Sequence, residues 1–176
     1  ENHPEIKVNV KRPDMLVVLG GDGTVLEATR KYSKHEPMIL PLNLGNVGFL
    51  TSVREEKDFL LALEKFFSGD CYAENRMLIV VEAKRKNKIV FKAESLNEIA
   101  VQSPLSIVEI DVEIEGHSLQ YIRGTGVLVS TATGSTAYNL SAHGPIVMPE
   151  LECMIITELL DHNIPTPSLV VPNGKI

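Results

Sequence analysis

The first 70 residues alternate short apolar runs with segments of helical periodicity. Two buried strands are predicted by the β-branched runs DMLVVLG (14–20) and PMILPLNLG (37–45), which end at glycines. Between them, TVLEATRKYSKH (24–35) carries apolar residues at helical spacing. A second helix is predicted by REEKDFLLALEKFFSG (54–69), which has acidic residues in its first turn and Gly69 as its stop. Its expected apolar face comprises Phe59, Leu60, Leu63, Phe66 and Phe67. This alternation predicts an α/β layer with a parallel sheet.

From about residue 75 the pattern changes to alternation with period two, which is typical of strands. Turns are expected near Lys86 and Asn87 and at EGH (115–117). A helix start interrupts the strands at TGSTAYNLSAHGP (133–145), and the last strands are predicted at CMIIT and SLVVP. We therefore expect two domains, an α/β domain over 1–74 and a β-rich domain over 75–176.

Composition and charge narrow the classes of partner. The chain has 176 residues, of which 44% are hydrophobic and 23% charged, and its net charge is −6. An acidic chain of this kind argues against a general nucleic-acid-binding role. No 18-residue apolar run is present, and the N-terminal stretch lacks a signal-peptide core. Cys71 and Cys153 are far apart and are expected to be buried free thiols. These features predict a cytoplasmic protein with no nucleic-acid or membrane partner.

The stretch GGDGT (20–24) places a lone carboxylate among glycines at the end of a predicted strand. Gly20 and Gly21 allow a sharp turn and a close approach of ligand. The amides of Gly23 and Thr24, at a helix start, would attract phosphate. Asp22 would then accept a proton from an attacking hydroxyl or help to hold a metal ion. The alternative is a plain strand-to-helix turn in which Asp22 is the N-cap.

Two further segments carry polar side chains suited to a nucleotide. Asn97 and Glu98 stand together between apolar residues, where an amide and a carboxylate could hold a ribose diol or an adenine edge. A polar pair at a strand end is the simpler explanation of those two residues alone. The segment STATGSTAYNLSAHGP (130–145) gathers small hydroxyl residues at a glycine turn, and Tyr138 offers a ring for stacking. Its alternative is a Ser/Thr-capped helix with Tyr138 in the core.

Taken together, these segments make the chain resemble an NAD kinase. That family carries GGDGT, an Asn-Glu pair and TGSTAY in this order and at roughly this spacing. Supporting pieces are NLGNVGFLT (43–51), which is similar to the family's substrate loop, and RMLI (76–79). GGDGT alone is weak, because diacylglycerol and sphingosine kinases and phosphofructokinases share versions of it.

The resemblance implies transfer of the γ-phosphoryl group of ATP, or of polyphosphate, to the 2′-hydroxyl of the adenosine ribose of NAD. Asp22 would be the general base, and Mg²⁺ would bridge the phosphates. Asn97 would lie near the adenine, Glu98 near the ribose and Tyr138 against a ring. Arg123 could meet a phosphate. No residue is named as a metal ligand. The candidate binding residues are Gly20, Gly21, Gly23, Thr24, Phe49, Asn97, Glu98, Arg123, Thr125, Thr133, Ser135, Thr136, Ala137, Tyr138 and Leu160.

The chain departs from the family pattern at three places. Thr125 stands where the family commonly has an aspartate that contacts substrate, and His143 stands where a small residue is usual. Both ends are short, since the family has a further strand and helix before GGDGT and further strands after SLVVP. The short ends fit two explanations. The chain is either a compact divergent member of the family or a fragment whose second domain is truncated at its C-terminus. Because family members build their pockets partly across subunits, we expect a homodimer or homotetramer.

Two other functions stay open at this point. A lipid kinase of the diacylglycerol or sphingosine type shares GGDGT, but it is not expected to keep TGSTAY after an Asn-Glu strand. A catalytically degenerate NAD(P)-binding protein would bind NAD without making NADP. The presence of Asp22 argues against the second, because a pure binder has little use for a base beside phosphates.

Overall fold

The fold is described from a computed structural model, which covers residues 12–45, 48–160, 166–174 and 176. The predicted substrate loop is therefore described without Asn46 and Val47, and most of the N-terminal stretch lies outside these ranges. Two compact units are present, Glu1–Ala73 and Glu74–Ile176. Each unit is considered by itself below.

The first unit is a strand–helix–strand layer followed by a second helix. Its elements are β1 (Met15–Leu19), α1 (Asp22–Tyr32), β2 (Met38–Leu42) and α2 (Phe59–Ser68), with short 3₁₀ turns at Ser33–His35 and Glu56–Asp58. β1 and β2 are parallel, with Met15 opposite Met38 and Leu19 opposite Leu42. A parallel bridge between Leu42 and Val53 extends the pairing beyond the loop that follows β2. The parallel α/β layer predicted from the sequence is confirmed.

The apolar face of α2 is narrower than the sequence predicts. Phe59, Leu63 and Phe66 are half-buried, but Leu60 and Phe67 are 74% and 77% exposed. Positions i, i+4 and i+7 from Phe59 lie on one face, whereas Leu60 and Phe67 are each one residue on and so rotated by about 100°. The prediction for those two residues was wrong. The helix ends at Gly69, whose φ is 77°.

The second unit is built almost entirely of antiparallel strands. A four-stranded sheet has the order β10-β9-β8-β5, and β3–β4 and β6–β7 form separate hairpins. The helical pieces are a 3₁₀ turn at Thr133–Thr136 and α3 (Tyr138–Ser141). The strands are β3 (Ile79–Arg85), β4 (Lys88–Ser95), β5 (Glu98–Gln102), β6 (Val108–Ile114), β7 (His117–Gly124), β8 (Gly126–Thr131), β9 (Cys153–Leu159) and β10 (Leu169–Pro172).

Both hairpins turn where the sequence predicts. Lys86 and Asn87 have φ of 49° and 61°, and Glu115 and Gly116 have 50° and 83°. Two successive left-handed residues are the mark of the tight turn that matches the twist of two paired strands. The β-rich character of the second unit is confirmed.

The core of the second unit lies between the β6–β7 hairpin and the four-stranded sheet. Val112 and Ile122 of the hairpin pack with Val127 of β8 and Ile156 of β9, and all are at most 5% exposed. This packing fixes which face of each strand points inward. It therefore also fixes which residues of β7 point away from the sheet.

Neither cysteine forms a disulfide, as the sequence predicts, but Cys71 is exposed and only Cys153 is buried. Cys71 follows α2 in a segment without regular structure. In the residues that the structure covers, no helix is both long and apolar enough to cross a membrane.

Candidate functional site

The GGDGT turn connects β1 directly to α1. The Gly20 N–H donates to the Leu42 carbonyl at the end of β2, at 3.0 Å. Gly20 has a φ of 154°, and a Cβ there would lie 2.4 Å from Thr24 Oγ1. A side chain at this position would therefore displace Thr24. Gly21 is the N-cap, and the helix begins at Asp22, two residues earlier than the sequence predicts.

The Asp22 side chain binds a distant loop instead of its own helix. Its Oδ2 accepts the Phe49 N–H at 2.8 Å and its Oδ1 accepts the Leu50 N–H at 3.0 Å. A Cβ on Gly48 would lie 2.0 Å from Asp22 Oδ1, so the loop approaches closely because residue 48 is glycine. The alternative in which Asp22 caps its own helix is wrong, since no side chain caps α1.

The loop that meets Asp22 is anchored at both ends. The Asn43 N–H donates to the Val53 carbonyl at 2.8 Å, and Asn43 Oδ1 accepts the Gly45 N–H at 2.9 Å. Asn43 is 2% exposed, whereas Phe49 is 71% exposed. The loop thus presents the Phe49 ring outward while its backbone holds the carboxylate. The Thr24 amide, expected at a phosphate, instead donates to the Gly21 carbonyl at 3.0 Å.

In the second unit, the Asn-Glu pair lies against the TGST turn. The Asn97 carbonyl accepts the Thr131 N–H at 2.8 Å. A Cβ on Gly134 would lie 2.2 Å from that same carbonyl oxygen. The side chain of Thr131 donates to the Leu96 carbonyl at 2.6 Å and accepts the Gly134 N–H at 3.0 Å. The beginning of β5 and the turn after β8 are therefore one packed assembly.

Glu98 is the carboxylate of this assembly. Burial raises its pKa, and the hydrogen bond from the Tyr138 backbone N–H opposes that effect. Its Oε2 atom is buried and has no hydrogen-bond partner in the residues that the structure covers. A buried carboxylate oxygen without a donor favours a hydroxyl-bearing ligand or a proton at that position.

The TGSTAY residues divide into buried supports and exposed positions. The Ser135 hydroxyl is buried and exchanges hydrogen bonds with Val147, donating to its carbonyl at 3.1 Å and accepting its N–H at 3.0 Å. Thr136 and Ala137 are half-buried. Tyr138 is 41% exposed, and its hydroxyl donates to Gln102 Oε1 at 3.4 Å. Tyr138 is thus a surface ring, not the core residue of the alternative reading.

Asn139 was not identified from the sequence, yet it organises this segment. It is fully buried, and its amide donates to the carbonyls of Ser135 at 3.2 Å and Pro145 at 2.9 Å. Its Oδ1 accepts the Thr157 hydroxyl at 2.8 Å, and a Cβ on Gly144 would lie 2.1 Å from it. The sequence carries one sign of this role, which is an asparagine directly after TGSTAY followed by a glycine five residues later.

Three predicted residues lie at the opposite end of β8 from the TGSTAY assembly. The Thr125 hydroxyl donates to the Leu159 carbonyl at 2.7 Å, and Leu160 follows with a φ of 48° and 78% exposure. Arg123 Nε lies 3.6 Å from Glu109 Oε1 across the β6–β7 hairpin. The length of β8 separates this end from Thr133 by about 20 Å.

The backbone conformation at His143 explains why the family usually has a small residue at this position. His143 follows α3 with a φ of 63°, in the left-handed region. A residue without a Cβ adopts that conformation at the lowest cost, which accounts for the small residue that is usual there.

The side chains of the described residues provide no dedicated metal cage. Across the described ranges, no group of three or more His, Cys, Asp or Glu side chains could hold a metal ion. Mg²⁺ commonly uses one or two carboxylates together with phosphate oxygens and water. The described donor set therefore does not fit a cage made of side chains, whereas a single carboxylate such as Asp22 fits an ion whose other ligands are phosphate oxygens and water.

Comparison with known proteins agrees with this geometry. The family model of the ATP-NAD kinase N-terminal domain matches residues 6–71, and that of the ATP-NAD kinase C-terminal domain matches residues 96–176. The chain belongs to the NAD kinase family. The NAD kinase of Geobacter metallireducens is 40% identical over 90% of this chain, and that of Caldicellulosiruptor saccharolyticus is 37% identical over 100% of this chain.

Solved NAD kinase structures share the fold. A yeast NADH kinase complexed with NADH superposes on 92% of this chain with a TM-score of 0.84 and 30% identity. An NAD kinase from Archaeoglobus fulgidus in complex with ATP superposes on 93% of this chain with a TM-score of 0.76 and 31% identity. The chain spans 56% of the Geobacter metallireducens NAD kinase and 64% of the Caldicellulosiruptor saccharolyticus one. It spans 48% and 66% of the two solved chains.

Proposed function

We propose that the protein phosphorylates the 2′-hydroxyl of the adenosine ribose of NAD and so produces NADP. ATP is the phosphoryl donor we favour over polyphosphate, because the A. fulgidus relative is in complex with ATP. The yeast relative, a NADH kinase in complex with NADH, supports a nicotinamide dinucleotide as acceptor. A lipid kinase is not favoured, since both domain models that match are those of ATP-NAD kinase.

The observation that carries this proposal is the placement of Asp22. Two backbone N–H groups, from Phe49 and Leu50, fix the orientation of its carboxylate at the first turn of α1. A carboxylate held in one orientation is suited to accept the proton of a substrate hydroxyl as that oxygen attacks phosphorus. The plain-turn alternative gives no reason for the side chain to bind a loop 27 residues away.

In the second unit, the Asn97–Glu98 strand and the TGSTAY segment support a role in holding the dinucleotide. The Asn97 backbone is bonded to the turn through its carbonyl, and the unpartnered Glu98 Oε2 suits a ribose hydroxyl. The exposed Tyr138 ring offers a stacking surface. Thr133, Thr136 and Ala137 complete the same assembly, whereas Ser135 supports it from within.

A divalent ion, most simply Mg²⁺, is part of this proposal. It would neutralise the phosphate charge and polarise the transferred group when bound. Asp22 is the carboxylate of this chain that would share it with the phosphates. The chain's own contribution is to hold that carboxylate still through the loop that includes Gly48.

Thr125 and Leu160 support a proposal about assembly. In one chain they lie about 20 Å from Thr133, at the other end of β8. A homodimer or homotetramer would let one copy supply these residues to the site of another. We also propose a cytoplasmic location, consistent with two free thiols.

The proposal is tested by incubating the purified chain with ATP, Mg²⁺ and either NAD or diacylglycerol. We expect NADP and no phosphorylated lipid. Phosphorylation of the lipid alone would replace the proposed function with that of a lipid kinase. Binding of NAD without formation of NADP from ATP or from polyphosphate would indicate a degenerate binding protein.

A further inference from the structure

The predicted site residues carry an excess of negative charge for a protein that binds nucleotide phosphates. Asp22 and Glu98 are acidic, and Arg123 is the single cation among the candidates named from the sequence. The whole chain has a net charge of −6. Phosphate recognition in proteins depends strongly on arginine and lysine, so the cation that serves the TGSTAY segment of the second unit has to be identified.

Arg123 is badly placed for that role. Its neighbour on β7, Ile122, is fully buried in the core against the four-stranded sheet. Successive side chains of a strand point to opposite faces, so Arg123 lies on the outer face of the β6–β7 hairpin. There it faces Glu109 at 3.6 Å, and both side chains are more than half exposed.

Arg76 is the cation that contacts the TGSTAY segment in the described part of the chain. It lies three residues before β3, and its Nη1 donates to Thr133 Oγ1 at 3.4 Å. Its Nη2 bonds Glu74 Oε2 at 2.6 Å, and the side chain keeps 27% exposure. A guanidinium has five N–H donors, so these two contacts leave others available to a ligand.

We propose that Arg76 binds a phosphate group of the adenine nucleotide that occupies the TGSTAY assembly. Thr133 holds the guanidinium at the turn, and Glu74 is its partner when no phosphate is present. A phosphate can present two oxygens to one guanidinium. When the phosphate is doubly charged, this paired contact is stronger than a contact with a single carboxylate oxygen. The inference rests on the proposed function only in taking the ligand to be an adenine nucleotide.

The test compares binding of ADP and of adenosine, because the two differ in phosphate alone. In Arg76→Gln we expect the Kd for ADP to rise about ten- to a hundredfold, as for the loss of one hydrogen-bonded charge, with the Kd for adenosine nearly unchanged. Arg85→Gln, on an exposed strand end of the same unit, is the matched control and should leave both affinities as they are.

Glu74→Gln separates a phosphate ligand from a structural ion pair. It breaks the Glu74–Arg76 pair but keeps the guanidinium, so ADP should bind as tightly as before or more tightly. The inference is overturned if Glu74→Gln weakens ADP as Arg76→Gln does, if Arg76→Gln weakens adenosine equally, or if it leaves ADP unaffected. A chain that shows the expected ADP difference yet never makes NADP would contradict the proposed function and leave this inference standing.

Discussion

At the scale of single residues, the proposed function depends on how one carboxylate is held. Asp22 reaches the backbone of Phe49 and Leu50, and that contact exists because residue 48 has no side chain. The sequence indicates that Asp22 is chemically important, but it does not reveal the loop that orients it. Contacts between residues 27 positions apart depend on how the chain folds back, and no local pattern encodes them.

Gly48→Ala should therefore reduce NADP formation while the fold is retained. The new methyl would lie 2.0 Å from Asp22 Oδ1, so the loop has to move and the carboxylate loses its two donors. We expect a loss in kcat of about a hundredfold, the effect of displacing a catalytic group by about 1 Å. Gly45→Ala is the matched control, because a Cβ there meets nothing within 4 Å. Equal kcat values for the two variants, measured with circular dichroism to verify folding, would contradict this role of the loop.

Glu98 should make stability depend on pH. Burial raises its folded pKa above that of the unfolded chain, so its contribution is most favourable below the unfolded pKa and decreases as the pH rises through the folded value. Glu98→Gln removes this loss, and the amide oxygen can still accept the Tyr138 N–H. The melting temperature of the variant minus that of the wild type should rise as the pH is raised from the unfolded pKa of a glutamate, about 4.3, through the higher folded pKa. A difference that stays constant over this range would show that burial of the charge does not matter.

At the scale of elements, the strands and helices follow from local patterns, and the exceptions have local causes. The two hairpin turns lie where the turn residues predict them, and α2 ends at the predicted glycine. It begins at Phe59 and not at Arg54, so the acidic residues expected in its first turn precede the helix. The exposure of Leu60 and Phe67 could not be predicted, because the sequence shows that a helix has apolar residues but not how wide a partner surface it meets. The same applies to Asn139, whose importance arises from Thr157 on a strand that follows much later in the chain.

The turn after α3 offers a stability prediction for the element. His143 has a φ of 63°, in the left-handed region that is strained for a residue with a Cβ. His143→Gly relieves that strain but adds the entropy cost of ordering a glycine. The net effect should be a stabilisation of about 0.5–1 kcal/mol. His117→Gly on β7 is the control, and it should destabilise by a similar amount because extended backbone gains nothing from glycine. Urea unfolding midpoints would measure both. A lower midpoint for His143→Gly would show that the imidazole makes a stabilising contact that outweighs the strain.

At the scale of the whole molecule, the family and fold class were predictable and the distribution of the site residues was not. Motif order indicated an NAD kinase, and the matches to both domain models confirm it. The sequence grouped Arg123, Thr125 and Leu160 with the TGSTAY segment. The strand β8 runs from Gly126 to Thr131, and its register with β9 pairs Gly126 with Leu159, so Leu160 lies at the end of β8 away from the TGSTAY segment. Strand register is set by pairing and core packing, and a single sequence does not display it.

This separation leads to a prediction about assembly. If a second copy supplies Thr125 and Leu160 to each site, the chain should be a dimer or tetramer at the concentrations at which it binds NAD. Light scattering coupled to size-exclusion chromatography would measure the mass in the presence and absence of NAD. A monomeric mass in both conditions, with NAD binding intact, would contradict a shared site.

The most direct test of the central claim is the rate of NADP formation by Asp22→Asn compared with the unaltered chain, supplied with NAD, ATP and Mg²⁺. The amide cannot accept the proton of the ribose hydroxyl, so we expect a loss of about two to four orders of magnitude in kcat. NAD binding, measured by calorimetry on the same preparations, should fall far less than kcat, because Asn97, Glu98 and Tyr138, which are proposed to hold the dinucleotide, lie in the second unit. Of the candidate binding residues, Phe49 is the one whose backbone is bonded to Asp22. A variant with near-native kcat would contradict the account, since Asp22 would then not be the base.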